Sequence, residues 1–277
     1  MIVARTESQL RVSLPKGLRI GFVPTMGALH KGHLSLIEIA KQNTDFVVVS
    51  IFVNPLQFSA GEDFDKYPRV LDQDISLLEA ANVDLLFAPD SEAIYPNGQV
   101  VTESAGELGT HFEGESRPGH FDGMLTVVKR LMDLVRPDVA VFGQKDAQQV
   151  ALVRELLKHE KIAGKQVELG VGPTLREDSG LALSSRNRYL SASERQIAGT
   201  ISKGLFAANG SGSREEALSR AKAAIHPEAR LEYLELVDEG FQPVKSDFQG
   251  KALMIVACKV GTTRLIDNHM VEIEREA

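Results

Sequence analysis

Residues 18–53 read LRIGFVPTMGALHKGHLSLIEIAKQNTDFVVVSIFV. Three patterns follow one another in this stretch. Residues 18–25 are a short apolar run that ends at Pro24 and Thr25. Residues 32–43 carry Leu34, Leu36, Ile37, Ile39 and Ala40, the pattern of a buried helix. Residues 45–53 (DFVVVSIFV) are apolar and β-branched on both faces. A strand of that kind belongs in the middle of a sheet with helices on each side.

The alternation continues downstream. Residues 69–81 read as helix, 84–88 as strand, 124–135 as helix, 139–142 as strand, 146–159 as helix and 167–171 as strand. Repeated β-then-α units predict an α/β domain built on a parallel sheet wrapped on both faces. The last third differs. Ser191-Ala192-Ser193-Glu194 is a capping box that opens a helix to about residue 208. A second helix follows the polar loop 209–213, and strand patterns follow at 231–237, 252–260 and 263–266. Helices followed by strands predict a smaller C-terminal α+β domain. The expected boundary lies in the polar stretch near 173–180, giving domains 1–174 and 175–277.

The chain has 277 residues, 43% apolar and 25% charged, which excludes collagen-like, disordered and disulfide-scaffold classes. Its 31 basic and 38 acidic residues leave a net charge of −7. That balance argues against nucleic acid or an anionic membrane surface as partner. An anionic small ligand needs only a local patch of donors and stays open. No run approaches ~18 apolar residues, so no membrane-spanning helix is expected. The opening residues lack the pattern of a signal peptide. The expectation is a soluble cytoplasmic protein. The single cysteine, Cys258, lies in an apolar run and reads as a buried structural thiol.

The chemistry is expected in Pro24-Thr25-Met26-Gly27-Ala28-Leu29-His30-Lys31-Gly32-His33, which follows the first strand and opens the first helix. In an open α/β sheet, ligands bind at the carboxyl ends of the strands. A helix start there offers N–H groups and a partial positive charge to a phosphate. Gly27 and Gly32 let the backbone approach a ligand. Neither a GxxxxGK[ST] loop nor a GxGxxG turn is present. The paired His30 and His33 could meet negative charge that builds on a phosphorus. A zinc site would need a third ligand, and His111, His120 and Cys258 give no ligand-like spacing. Two solvated loop histidines are the bland alternative; the glycine spacing and the strand-to-helix placement favour a nucleotide site.

The segment resembles the HxGH signature of the adenylylating superfamily that joins class I aminoacyl-tRNA synthetases with small nucleotidyltransferases. That resemblance implies a Rossmann-like core that transfers a nucleotide. The wider set PTMGALHKGHLSL, SIFVNPLQF, FGQKDAQQ and GLALSSRNRYLS, in this order, resembles the pantothenate synthetase family. It covers the first domain and continues into the second. The resemblance implies an ATP- and Mg2+-dependent ligase that joins pantoate to β-alanine through a pantoyl-adenylate, with release of AMP and diphosphate. It also implies a homodimer.

Residue by residue, the resemblance places Met26, Gly27, Ala28, Leu29, His30, Lys31, Gly32 and His33 along ATP, with His33 as proton donor or charge stabiliser. It places Gly143, Gln144, Lys145 and Asp146 on ATP, Gln57 and Gln149 on pantoate, and Asn54 near the acceptor amine or a phosphate. Asp146 also suits a helix cap. Leu183, Ser184, Ser185 and Arg186 resemble the superfamily's KMSKS-type loop, where hydroxyls beside a guanidinium suit a departing diphosphate. Leu183 stands where many members carry methionine, a volume-conserving difference. Leu175 is expected to meet adenine through its backbone. His30, His33, Lys145 and Arg186 form the expected catalytic set. The Mg2+ ligand stays open among acids such as Asp65, Asp72 and Asp74. Two other readings remain: a nucleotidyltransferase that moves AMP onto a phosphate, and a nucleotide-binding module without turnover.

Overall fold

The computed structural model describes residues 1–58, 62 and 64–274. By its internal contacts the chain divides into two compact units, residues 1–143 with 152–172, and residues 144–151 with 173–277.

The first unit is built on six strands, β1 (Ile2–Ala4), β2 (Ile20–Thr25), β3 (Phe46–Ile51), β4 (Leu85–Phe87), β5 (Val139–Gly143) and β6 (Glu168–Gly172). They lie in the order β1-β4-β3-β2-β5-β6, and every neighbouring pair is parallel. The strand apolar on both faces, β3, is an interior strand between β2 and β4, as its composition predicts. From β2 the chain runs outward through β3 and β4 on one side and through β5 and β6 on the other. The reversal at β2 and β5 makes a crevice at the carboxyl end of β2, the usual ligand position in such sheets.

The helices, in chain order, are α1 (Glu7–Ser13), α2 (Lys31–Asn43), α3 (Leu71–Ala80), α4 (Ser91–Ile94), α5 (Glu113–Ser116), α6 (His120–Val135), α7 (Ala147–His159), α8 (Ala192–Ala207) and α9 (Arg214–Ala224). Helix α2 buries Leu36, Ile37 and Ala40 in one core with Val23, Val49, Leu86 and Val141. It comes close enough to the sheet that a Cβ on Gly172 would sit 2.2 Å from a Leu36 methyl. Helix α7 begins in residues of the second unit and ends in residues of the first.

The second unit holds an antiparallel sheet of β7 (Arg230–Val237), β8 (Gly250–Val260) and β9 (Thr263–Ile273), in that order. Its core joins Ile201 and Leu205 of α8 and Ala217 and Ala221 of α9 to Met254, Val256 and Cys258 of β8. Burial pushes the Cys258 thiol up to about 12, so it stays a neutral packing group.

Two boundaries differ from expectation by four residues or more, and two short elements were not expected. The last strand runs to Ile273 rather than ending near residue 266, because the polar pair Asp267 and Asn268 is buried inside it and breaks the apolar alternation. Helix α6 starts at His120 rather than near Met124. Gly123 lies in its first turn, where close packing described below needs it. The short β1 and α1 at the N-terminus escape notice because three residues and one helical turn or two carry little periodicity. No helix is long and apolar enough to cross a membrane, among the described residues.

Candidate active site

The HxGH segment leaves β2 in a turn of unusual backbone. Gly27 lies at φ +81° and Ala28 at φ +51°, both in the left-handed region. For alanine that conformation costs roughly 1–2 kcal/mol, so neighbouring contacts must hold it. Asp74, from the first turn of α3 and 2% exposed, supplies them. Its two carboxylate oxygens accept the backbone N–H groups of Ala28 (2.9 Å) and Leu29 (2.8 Å).

Helix α2 then opens with His30 as its N-cap. His30 Nδ1 accepts the N–H of Gly32 (3.1 Å), and His33 Nδ1 accepts the N–H of His30 (3.3 Å). Each imidazole therefore serves as a capping acceptor, a role usually given to Ser, Asp or Glu. With Nδ1 accepting, the hydrogen of each neutral ring sits on Nε2. The two rings lie 4.1 Å apart, tilted by 35°. Beside the turn is a cavity of about 480 Å³ whose lining includes Arg5, Met26, Gly27, Phe52, Arg69 and Asp74.

Asn54 and Gln57 sit on the one-turn 3-10 helix Pro55–Gln57 that follows β3. Both are buried. Tyr95 Oη donates to Asn54 Oδ1 (2.7 Å), and Asn54 Nδ2 donates to Gln57 Oε1 (3.2 Å) and to the carbonyl of Gly123 (3.0 Å). Gln57 Nε2 reaches Met26 Sδ at 3.2 Å, so the expected pantoate residue and the HxGH turn meet. Burial pushes the Tyr95 phenol up, which keeps it a donor.

The Gln57 carbonyl is fixed from behind. His120 Nδ1 donates to it (2.7 Å) and Arg117 Nη2 donates to it (3.2 Å). Arg117 Nη1 lies 3.0 Å from His120 Nε2 and its other nitrogens bind Glu62 at 2.6 and 2.7 Å. A carbonyl on one side and a guanidinium on the other require a neutral ring. Burial, reinforced by the charge of Arg117, accordingly pulls the His120 pKa down to about 4.

The second unit holds the rest of the expected set. Gln144–Asp146 form a 3-10 turn after β5, with Lys145 Nζ 3.1 Å from Asp146 Oδ1, and Gln149 follows in the first turn of α7. Leu183 donates its N–H to the carbonyl of Leu175 (2.9 Å), which brings the expected adenine residue beside the loop. Ser184 caps the 3-10 turn Ser185–Tyr189 through Arg186 N (3.3 Å). Behind the loop, Asn187 Nδ2 donates to Glu177 (3.1 Å) and to the Ala182 carbonyl (3.0 Å). Arg195 binds Glu177 at 2.5 Å and the Asn187 carbonyl at 2.9 Å. The expected residues thus fall into two groups. Met26–His33, Asn54, Gln57 and Gly143 lie in the first unit; Gln144–Asp146, Gln149, Leu175 and Leu183–Arg186 lie in the second.

The family model described as pantoate-beta-alanine ligase matches residues 2–270. The chain belongs to that family. A pantothenate synthetase of Leifsonia xyli is 49% identical over 261 residues, covering 92% of this chain and 90% of the relative. A pantothenate synthetase structure from Thermus thermophilus superposes with a TM-score of 0.90 at 44% identity, covering 99% of this chain and 100% of the other. A pantoate-beta-alanine ligase structure from Francisella tularensis, complexed with Beta-gamma ATP and Beta-alanine, superposes at 0.81 with 40% identity and covers 98% and 97% of the two chains.

The pantoate-beta-alanine ligase motifs in this chain name the groups expected at a ligand, but not those that hold them. Asp74 is open to the sequence reading only as one of several possible metal acids, and His120 only as a rejected zinc ligand. Arg117, Tyr95 and the cluster behind Ser184–Arg186 give no local signal at all. Their partners are distant in sequence, so only the fold brings them together.

Proposed function

We propose that this chain joins pantoate to β-alanine in two steps at the residues described above. A pantoate carboxylate oxygen attacks the α-phosphorus of ATP, the bond to the β-phosphate bridging oxygen breaks, and diphosphate leaves. The resulting pantoyl-adenylate is a mixed anhydride. The neutral amine of β-alanine attacks its carbonyl carbon, the amine loses a proton, and AMP leaves.

The observation that carries this reading is the double capping of α2 by His30 and His33. It directs the donor capacity of both rings to Nε2 and sets them at a helix N-terminus that favours phosphate. In the proposed mechanism these Nε2–H groups and the α2 backbone stabilise charge building on the phosphates during attack. On the family resemblance, Lys145, Ser184, Ser185 and Arg186 bind phosphate and ease diphosphate departure. Gly143, Gln144 and Asp146 line ATP, and Leu175 with Leu183 takes the adenine. The Gln57 amide, oriented by Asn54 and Met26, binds pantoate together with Gln149. Neutral amides suit a carboxylate that must stay nucleophilic, because a full positive charge would quench it. Mg2+ carried by ATP would supply neutralisation of phosphate charge. Asp74 fits poorly as its ligand, since both oxygens are committed to the turn, whereas Asp65 and Asp72 are exposed. We also read the enzyme as a cytoplasmic homodimer, on the family resemblance.

Pantoate-dependent ATP–diphosphate exchange tests the scheme. Exchange should appear with pantoate alone, and net AMP only after β-alanine is added. His33→Ala should lower exchange by about 100- to 1,000-fold while the fold persists. Exchange that runs without pantoate, or that survives His33→Ala unchanged, refutes the reading.

A further inference from the structure

The C-terminal hairpin carries a polar pair that none of the family-like motifs includes. Asp267 and Asn268 are consecutive in β9, and each is only 4% exposed. Asn268 Nδ2 donates to two successive carbonyls, those of Gln144 and Lys145, both at 2.9 Å. An amide nitrogen has two hydrogens, so its donor capacity is spent on this one turn. Asn268 Oδ1 in return faces Gln144 Nε2 at 3.4 Å.

Asn268 is itself anchored. Its N–H donates to Asp267 Oδ1 (2.7 Å), and its carbonyl accepts from Arg176 Nη2 (3.2 Å). Arg176 makes a two-pronged pair with Asp267 at 2.5 and 2.9 Å, and its Nη1 also donates to the Gly180 carbonyl (3.1 Å). Burying a carboxylate and an amide inside a strand is costly unless every group is satisfied. Plain hairpin packing does not require such a pair, whereas fixing the backbone on either side of the Lys145 ammonium does.

We propose that Asn268 is the positioning residue for Lys145. It clamps the carbonyls of residues 144 and 145, and the Arg176–Asp267 pair holds the clamp rigid. The inference rests on the reading of Lys145 as a phosphate-binding group. It assigns to the C-terminal hairpin a part in the adenylation step that acts through Lys145.

Steady-state kinetics and pantoate-dependent ATP–diphosphate exchange on the full chain test it, with Asn268→Asp, Lys145→Ala and the double variant. Asn268→Asp keeps the shape but turns an oxygen toward two carbonyl oxygens. It should lower kcat by about 10- to 100-fold and leave the KM for pantoate within about twofold. In the Lys145→Ala background the same change should cost less than about twofold more, because the group it positions is already gone. If thermal melting shows Asn268→Asp to be unfolded, Asn268→Ser, which keeps one donor and adds no charge, takes its place with a smaller loss and the same non-additivity. A folded Asn268 variant with normal kcat, or losses that multiply in the double variant, overturns the inference. An impaired Lys145→Ala beside an unimpaired Asn268 variant overturns the inference alone; an unimpaired Lys145→Ala overturns the assignment of Lys145 as well.

Discussion

At the residue scale, Asp74 shows how a strained turn is kept. Its carboxylate spans the N–H groups of Ala28 and Leu29, and Ala28 pays a conformational cost that a glycine would not. Asp74→Asn preserves volume but sets an NH2 group against one of those N–H groups. The expected result is a stability loss of about 2 kcal/mol, seen in urea unfolding. Exchange activity should fall by about 100-fold, because the imidazoles shift with the turn. A variant with normal exchange would show that the turn holds itself. The HxGH residues themselves were legible from sequence because they are contiguous and their glycines mark a turn. Asp74 was not legible as their support, since it lies 46 residues from Ala28. Asn268 is 124 residues from Gln144. No local pattern links such pairs.

At the scale of elements, the contact between α6 and the 3-10 turn after β3 decides the geometry around Gln57. A Cβ on Gly123 would lie 2.1 Å from the Leu56 carbonyl oxygen and 2.9 Å from Gln57 N. Both are backbone atoms, so relief requires moving the turn or the helix. Gly123→Ala should destabilise the protein by about 1–3 kcal/mol or more. It should also raise the KM for pantoate well beyond that for ATP. Equal effects on both substrates would detach this turn from pantoate. Periodicity located most strands and helices because each buries a broad apolar face. It failed at α6 and β9 for opposite reasons. In α6 the first turn, with Asp122 and Gly123, lies outside the continuous apolar pattern, and in β9 two buried polar residues mimicked an end.

At the scale of the whole molecule, stability should carry the signature of one neutral imidazole. The pKa of His120 is about 4 in the fold against 6.5 ordinarily, so the unfolded chain takes up a proton that the folded one refuses. The associated stability is fully present above pH 6.5 and is lost as pH falls from 6.5 toward 4, by about 3 kcal/mol in all. Denaturant unfolding at pH 7 and pH 4.5 should show a steeper loss in the natural chain than in His120→Gln. Parallel losses would mean that the ring is already protonated in the fold. The alternation of strands and helices made the parallel sheet and the change to a smaller α+β region readable from sequence. The membership of residues 144–151 was not, since a helix looks the same whichever unit its first turn joins. That detail bears on anyone who would recombine the protein. Because α7 starts among the partners of one compact body and finishes among those of the other, no single cut of the gene separates them. The chain passes from one to the other after residues 143, 151 and 172, so a graft, truncation or chimaera needs three junctions, with the stretch around Lys145 travelling alongside the C-terminal hairpin.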